Sequence, residues 1–238
     1  MMKSFEATRV HTRLFSVSGI VTGLIVLFTF TSKPAERMPS YSLLCLGDSY
    51  TIGESVGANE NFPSQSVRLL NKEGYDFNAP EIIAMTGWTT DELENAIDKS
   101  NVKNSFDFVT LLVGVNDQYR GRNVEDYAPR FESLLTRAIQ FVNGQSSRVI
   151  VLSIPDWGVT PFAKNRDSGK IAQQINSYND ANRQLALEHK VNYIDITTST
   201  RDAISDRTLV APDGLHPSAK EYAKWAAKIY LVIKEQLH

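Results

Sequence analysis

From Tyr41 to the C-terminus, short apolar runs alternate with longer amphipathic stretches. That alternation is the mark of βα units wound around a mainly parallel sheet. It predicts strands over residues 42–46, 81–84, 106–113, 148–154 and 191–196. Helices are expected between them. Residues 63–71 stop before Gly74, and residues 91–99 carry Thr89 and Glu92 as a capping box at their start. Residues 128–142 place Pro129 in the first turn and end at Asn143-Gly144. In residues 169–189, Ile171, Ile175, Tyr178, Asn182 and Leu185 recur at helical spacing. A last helix runs from about Ser218 with Tyr222, Trp225, Ala226, Ile229 and Ile233 on its inner side. The expected fold is α/β, a three-layer α/β/α sandwich on a mainly parallel, flavodoxin-like sheet. No repeat interrupts it, so residues 41–238 read as one domain.

The first 40 residues differ in kind. No charged side chain lies between Arg13 and Lys33, residues 14–30 are mainly apolar, and Lys3, Arg9 and Arg13 precede them. The stretch is an export signal or a membrane anchor. Its length approaches a bilayer span and no Ala-x-Ala cleavage site follows, which favours an uncleaved anchor. The positive amino-terminal flank would send the remaining chain across, leaving the domain exported or anchored on the extracytoplasmic side. Residues 33–40, with two prolines and mixed charge, read as a linker.

Charge and cysteine usage exclude several functions. The net charge of −2 with scattered basic residues provides no footprint for nucleic acid. The single cysteine, Cys45, rules out an intramolecular disulfide and reads as a small core residue. No His-Glu-x-x-His or similar ligand spacing occurs, so neither a metal nor a cofactor is implied.

The first apolar run ends abruptly in Gly47-Asp48-Ser49, which delivers a serine to the edge of the sheet. In open α/β sheets, ligands bind in the crevice beyond the carboxyl ends of the strands. A serine attacks at neutral pH only with a base in reach and a group to orient that base. Of four histidines, His11 precedes the anchor, His189 ends an amphipathic helix and His238 is terminal. His216 lies in the turn-rich Ala211-Pro-Asp-Gly-Leu-His-Pro217 with Asp213 three residues before it. This pair could serve Ser49, or Asp213-Gly214 could be a plain turn and His216 a helix-entry residue. Acyl transfer also needs donors for an oxyanion. Asn116, in Gly114-Val-Asn-Asp117, and Gly87, in Met85-Thr-Gly-Trp-Thr-Thr90, follow two other strands. Each could equally be a turn residue.

The four pieces together resemble the SGNH (GDSL) hydrolase family. Gly47-Asp48-Ser49 is similar to its first block, Gly87 to its second, Gly114-Val-Asn-Asp117 to its third and Asp213-Gly-Leu-His216 to its last. The resemblance covers Tyr41 to the end. It implies Ser49 as nucleophile, Asp213 and His216 as its triad partners, and Ser49, Gly87 and Asn116 as the oxyanion hole. Tyr50 departs from the leucine in the family name, which bears on local packing and the pocket wall. A Gly-x-Ser-x-Gly elbow is missing, which argues against the α/β-hydrolase arrangement.

The implied substrate is a small ester: an acyl ester, a lysophospholipid or a thioester, with an acetylated carbohydrate as the alternative. Trp88, Trp157 and Phe162 are candidates for the pocket, although loop aromatics also cover cores. Arg120 and Arg122 could meet an anionic leaving group or simply be solvated. A reading outside enzymes is a membrane-tethered ligand-binding domain on the same scaffold.

Overall fold

The six residues Leu43–Asp48 form β1, and all are buried. A strand with no exposed face belongs in the interior of a parallel sheet, because helices must cover it on both sides. The computed structural model, which describes residues 40–103 and 105–237, places it there. The strands are β1, β2 (Glu81–Met85), β3 (Phe108–Leu112), β4 (Val149–Leu152) and β5 (Asn192–Ile194), ordered β2-β1-β3-β4-β5. Every pairing is parallel, with Cys45 opposite Ile82 on one side and Thr110 on the other. This is the flavodoxin-like order, whose switch point lies between β1 and β3.

The helices are α1 (Ser49–Ile52), α2 (Phe62–Lys72), α3 (Thr90–Lys99), α4 (Val115–Tyr119), α5 (Val124–Phe141), α6 (Ser168–Glu188), α7 (Thr197–Thr200) and α8 (Ala219–Gln236). The chain steps from β1 to β2 in one direction, then returns across β1 and continues through β3, β4 and β5. Right-handed crossovers therefore put α2 on one face and α3, α5 and α6 on the other. The packing agrees: α2 lies against α8, while α5 lies against both α3 and α6. On α8, Tyr222, Trp225, Ala226, Ile229 and Ile233 are buried, as their spacing predicts. Cys45 is fully buried, and burial pushes its thiol up to about 12, so it belongs to the core.

The boundaries differ in instructive ways. All five strands form; β1 and β2 run one or two residues past the expected ends, to Asp48 and Met85, while β3, β4 and β5 are shorter than the apolar runs that announce them. The helix expected from residue 128 begins at Val124, because Asn123 Oδ1 caps it by accepting from Asp126 N at 2.7 Å and Tyr127 is buried in its first turn. Pro129 thus lies in the second turn, where its missing N–H forgoes one helical bond. Two short helices, α1 and α4, occupy segments that read as turns. Each begins at a strand end and carries a candidate site residue. Among the described residues no helix is long and apolar enough to cross a membrane; the anchor or signal expected over residues 14–30 lies outside them.

Candidate active site

In a parallel sheet all carboxyl ends share one edge, so the segments after β1, β2 and β3 meet there. Asp48 ends β1 and caps α1, its Oδ1 accepting from Tyr50 N at 3.0 Å, which leaves Ser49 as the first residue of the turn. The loop before α8 comes to the same edge. His216 Nε2 lies 2.9 Å from Ser49 Oγ, and His216 Nδ1 lies 2.6 Å from Asp213 Oδ2. With Nδ1 donating to a carboxylate, Nε2 is left to accept the serine proton. Asp213 Oδ1 accepts from the backbone N–H groups of Leu215 and His216 at 2.9 and 3.0 Å. Its Oδ2 also accepts from Ser55 Oγ at 2.8 Å. Burial opposes ionisation of Asp213, but these four hydrogen bonds outweigh it and hold the carboxyl at about 2. The orienting group is therefore an anion throughout the physiological range.

Asn116 is in α4, directly after β3. Gly114, before it, has φ of +128°, and a Cβ there would lie 2.5 Å from the Tyr127 hydroxyl, so only glycine fits the turn. Asn116 Nδ2 donates to Trp88 O at 2.9 Å, coupling this turn to the loop after β2. Gly87 in that loop has φ of +85°, and Arg120 Nη2 donates to its carbonyl at 2.6 Å. The neighbouring Asp117 is fully buried and accepts from Thr90 N and Thr90 Oγ1 at 2.9 and 2.8 Å and from Arg122 Nη1. Asn116 and Asp117 thus divide the work: the first faces the cleft and the second pins its turn to α3.

Beside Ser49 opens a cleft of about 150 Å³. Tyr50, Val115, Asn116, Tyr119, Trp157, Phe162, Leu215 and His216 surround it. Trp157 is anchored by its Nε1 donating to Gln118 Oε1 at 2.8 Å, and Tyr119, Trp157 and Phe162 form an aromatic cluster. Among the described residues no group of histidines, cysteines and carboxylates has the arrangement of a metal site.

The family model of the GDSL-like lipase/acylhydrolases matches residues 45–224. The chain belongs to this family. It is accordingly an ester-bond hydrolase and not a mere binding domain, and a small-molecule ester is its class of substrate. Solved structures agree on the fold. A lipase/acylhydrolase from Enterococcus faecalis superposes with a TM-score of 0.64 at 21% identity, covering 82% of this chain and 96% of that one. An acetylxylan esterase from Geobacillus stearothermophilus gives 0.63 at 18% identity, covering 81% and 94%. A lipolytic G-D-S-L family protein from Veillonella parvula gives 0.62 at 19% identity, covering 80% and 98%. No curated protein matches at a significant level.

Within the hydrolase, the expected residues are distributed unevenly. Ser49, Asp213 and His216 form one hydrogen-bonded line, and Asn116 lines the cleft. Trp157 and Phe162 also line it, whereas Trp88 packs against the core and is absent from the cleft wall. Arg120 and Arg122 are both held by protein partners, with the Arg120 side chain still 53% exposed. Arg120 is held by Gly87 O and Glu92, and Arg122 by Asp91 and Asp117, so both brace the site. Tyr119 and Ser55 are the residues that sequence reading misses. Reading residues 115–119 as a helix would have flagged Tyr119, one turn beyond Asn116. For Ser55 no comparable signal exists.

Asp48 carries a pH signature. Burial raises its carboxyl to about 7, with the Tyr50 N–H pulling it down and the charge of Asp117 pushing it up. A raised carboxyl binds a proton in the native state that the unfolded chain has already lost, so stability falls as pH rises from about 4 to about 7. Asn caps helices as well as Asp does but does not ionise. Asp48→Asn is therefore expected to gain thermal stability over wild type as pH rises across that window, by about 4 °C or more at pH 8. Paired melting curves at pH 5 and pH 8 test this, and a difference independent of pH would contradict the raised carboxyl.

Proposed function

We propose that the hydrolase is a serine esterase acting on short acyl groups through an acyl-enzyme on Ser49. The observation that carries this reading is the continuous line of hydrogen bonds from Ser49 Oγ through His216 to Asp213, at 2.9 and 2.6 Å. As Ser49 Oγ attacks the ester carbonyl, His216 Nε2 takes its proton. Asp213 steadies the resulting imidazolium without taking up the proton itself. The oxyanion is met by the Ser49 and Gly87 backbone N–H groups and by the Asn116 amide. His216 then protonates the departing alcohol, and a water molecule, activated by the same imidazole, releases the acid and restores Ser49.

Cleft size supports short acyl groups over lysophospholipids and long-chain thioesters. A dry cavity of 150 Å³ accommodates a group about as large as benzene, and the cleft beside Ser49 has about that volume. Acetyl to about hexanoyl fits within this bound. Longer chains must either displace Trp157, Leu215 or Tyr50, an overpacking that costs about 1–3 kcal/mol, or run out past the half-exposed Tyr119 and Phe162, where the added length gains little burial. On p-nitrophenyl esters, kcat/KM is therefore expected to gain nothing between hexanoate and dodecanoate, and to fall about tenfold or more where the added length is forced inward. Rising activity toward dodecanoate would refute the short-acyl assignment.

A second reading, a carbohydrate O-acetylesterase, is favoured by the rim. Tyr119 and Phe162 remain 48% and 46% exposed at the cleft, two aromatic faces standing in water where the C–H face of a sugar ring could lie. Acetate release from acetylated oligosaccharides, run beside p-nitrophenyl acetate in the same ester panel, separates this reading from a general short-chain esterase.

A further inference from the structure

Three non-glycine residues have left-handed backbone among the described residues: Ser55, Asn143 and Lys190. Two are explained by helix ends. Asn143 and Lys190 each lie two residues past the last residue of α5 and α6, where chains commonly reverse in this conformation. Ser55, with φ of +65°, has no such excuse, because α1 is already terminated by Gly53 at φ +79°. A serine in this region costs about 1 kcal/mol or more and persists only where its surroundings demand it. Here the demand comes from Asp213, 158 residues away, whose Oδ2 accepts the Ser55 hydroxyl at 2.8 Å. That same oxygen faces His216 Nδ1.

The turn is tied to the proposed nucleophile from behind. The N–H groups of Gly53 and Glu54 both donate to Ser49 O, at 3.1 and 3.0 Å. One residue before Ser55, the Glu54 carboxylate accepts from Thr86 Oγ1, in the loop that carries Gly87. Residues 53–55 therefore join three segments: the serine turn, the loop after β2, and the loop of Asp213 and His216. With the Ser55 bond made, the four lone-pair sites of the Asp213 carboxylate meet four donors, which leaves the side chain one orientation.

We propose that Ser55 is a positioning residue, which fixes Asp213, and through it His216, against the turn that carries Ser49. The inference rests on the triad reading above. Its action has two parts. Ser55 locks the Asp213 loop in place, and its hydroxyl dipole presents a positive end to Oδ2, weakening the negative potential that the imidazole feels. Removing the hydroxyl loosens the loop and leaves the full negative potential of Oδ2 facing the imidazole, which a pH–rate profile would register. The titratable groups that face His216 are Asp213 in its own loop, Tyr50 of α1, with its ring 5.2 Å from the imidazole, Asp156, paired with Arg201, and Glu221 of α8 across a small shared chamber, and Tyr119 of α4 across the cleft. Burial pushes the Tyr50 phenol well above its usual range, so it stays neutral throughout the assay.

The experiment compares wild type, Ser49→Ala, Ser55→Ala and Ser55→Gly on p-nitrophenyl acetate from pH 5 to 9, with a melting curve for each. Ser55→Gly relieves the backbone strain, so it is expected to fold and melt no lower than wild type. Both Ser55 variants are expected to lose about tenfold in kcat with KM within about twofold. The acid limb of kcat/KM should move by about 0.3 units or more. Wild-type kcat with an unmoved limb in Ser55→Gly, beside an inactive Ser49→Ala, would overturn the role of Ser55 and leave the triad standing. A lower kcat with an unmoved limb would also overturn it, as a merely structural effect. Full activity in Ser49→Ala would remove the triad reading, and the role of Ser55 with it.

Discussion

Replacing Ser49 with alanine is expected to lower kcat about a millionfold, the scale on which a serine nucleophile's loss is felt when its base and oxyanion donors stay in place. The substitution deletes one oxygen from a residue that is almost fully buried, and the partner it abandons, His216 Nε2, already has Asp213 on its other nitrogen. Folding should therefore be little affected, and the melting temperature should remain close to that of wild type. Because the members of a triad act as a unit, their losses do not add. The double variant Ser49→Ala/His216→Ala is expected to be no slower than Ser49→Ala alone. A fluorophosphonate probe supplies the direct measurement, since it forms its covalent adduct only with an activated serine. Wild type should be labelled and Ser49→Ala should not. Labelling that persists in the folded variant would assign the nucleophile elsewhere.

Asn116→Ala is expected to lower kcat by about a hundred- to a thousandfold with little change in KM, the usual effect of losing one oxyanion donor. The interaction is made with charge that develops only as the carbonyl becomes tetrahedral, so the loss falls on turnover and not on ground-state binding. The alanine variant also removes the hydrogen bond from Asn116 Nδ2 to Trp88 O, and part of any loss could then be a loosened loop. A melting curve gauges the loosened loop apart from turnover, since Asn116→Asp loses the bond to Trp88 O as well. That variant preserves size and shape, removes the N–H donors and adds a charge facing the oxyanion, so it should be at least as slow as alanine. Its turn should still be held by Asp117 through Thr90 and Arg122. Turnover of Asn116→Ala within twofold of wild type would exclude Asn116 from the oxyanion hole.

Much of this hydrolase was legible in its sequence because burial on both faces leaves an unbroken apolar run. Residues 43–46 and 149–152 read as strands for that reason, and the buried side of α8 read as a stripe. The short helices were not legible. α1 and α4 hold four and five residues, too few for a 3.6-residue period to register, and both start at a strand end where glycine and small polar residues look like turns. The bracing contacts of Arg120 and Arg122 are hidden from sequence for a related reason. The charge of both is visible in sequence, but most of their partners lie in α3 and in the loop before it, with Asp117 of α4 as the remaining one.

The layers, and the edge at which chemistry could occur, follow from local sequence patterns. In a parallel sheet the residues following each strand have no other place to go, so Ser49, Gly87 and Asn116 were bound to meet there once β1, β2 and β3 were neighbours. The Asp213 and His216 loop had no such guarantee. That His216 reaches Ser49 across 167 residues, that the cleft holds about 150 Å³, that Trp88 turns to the core while Tyr119 faces the cleft, and that Ser55 bends into an unfavourable conformation to hold Asp213 were decided only by the tertiary structure. The physical reason is that strands and helices follow from local periodicity, whereas these contacts depend on how loops distant in sequence pack side chain against side chain, which no local pattern encodes.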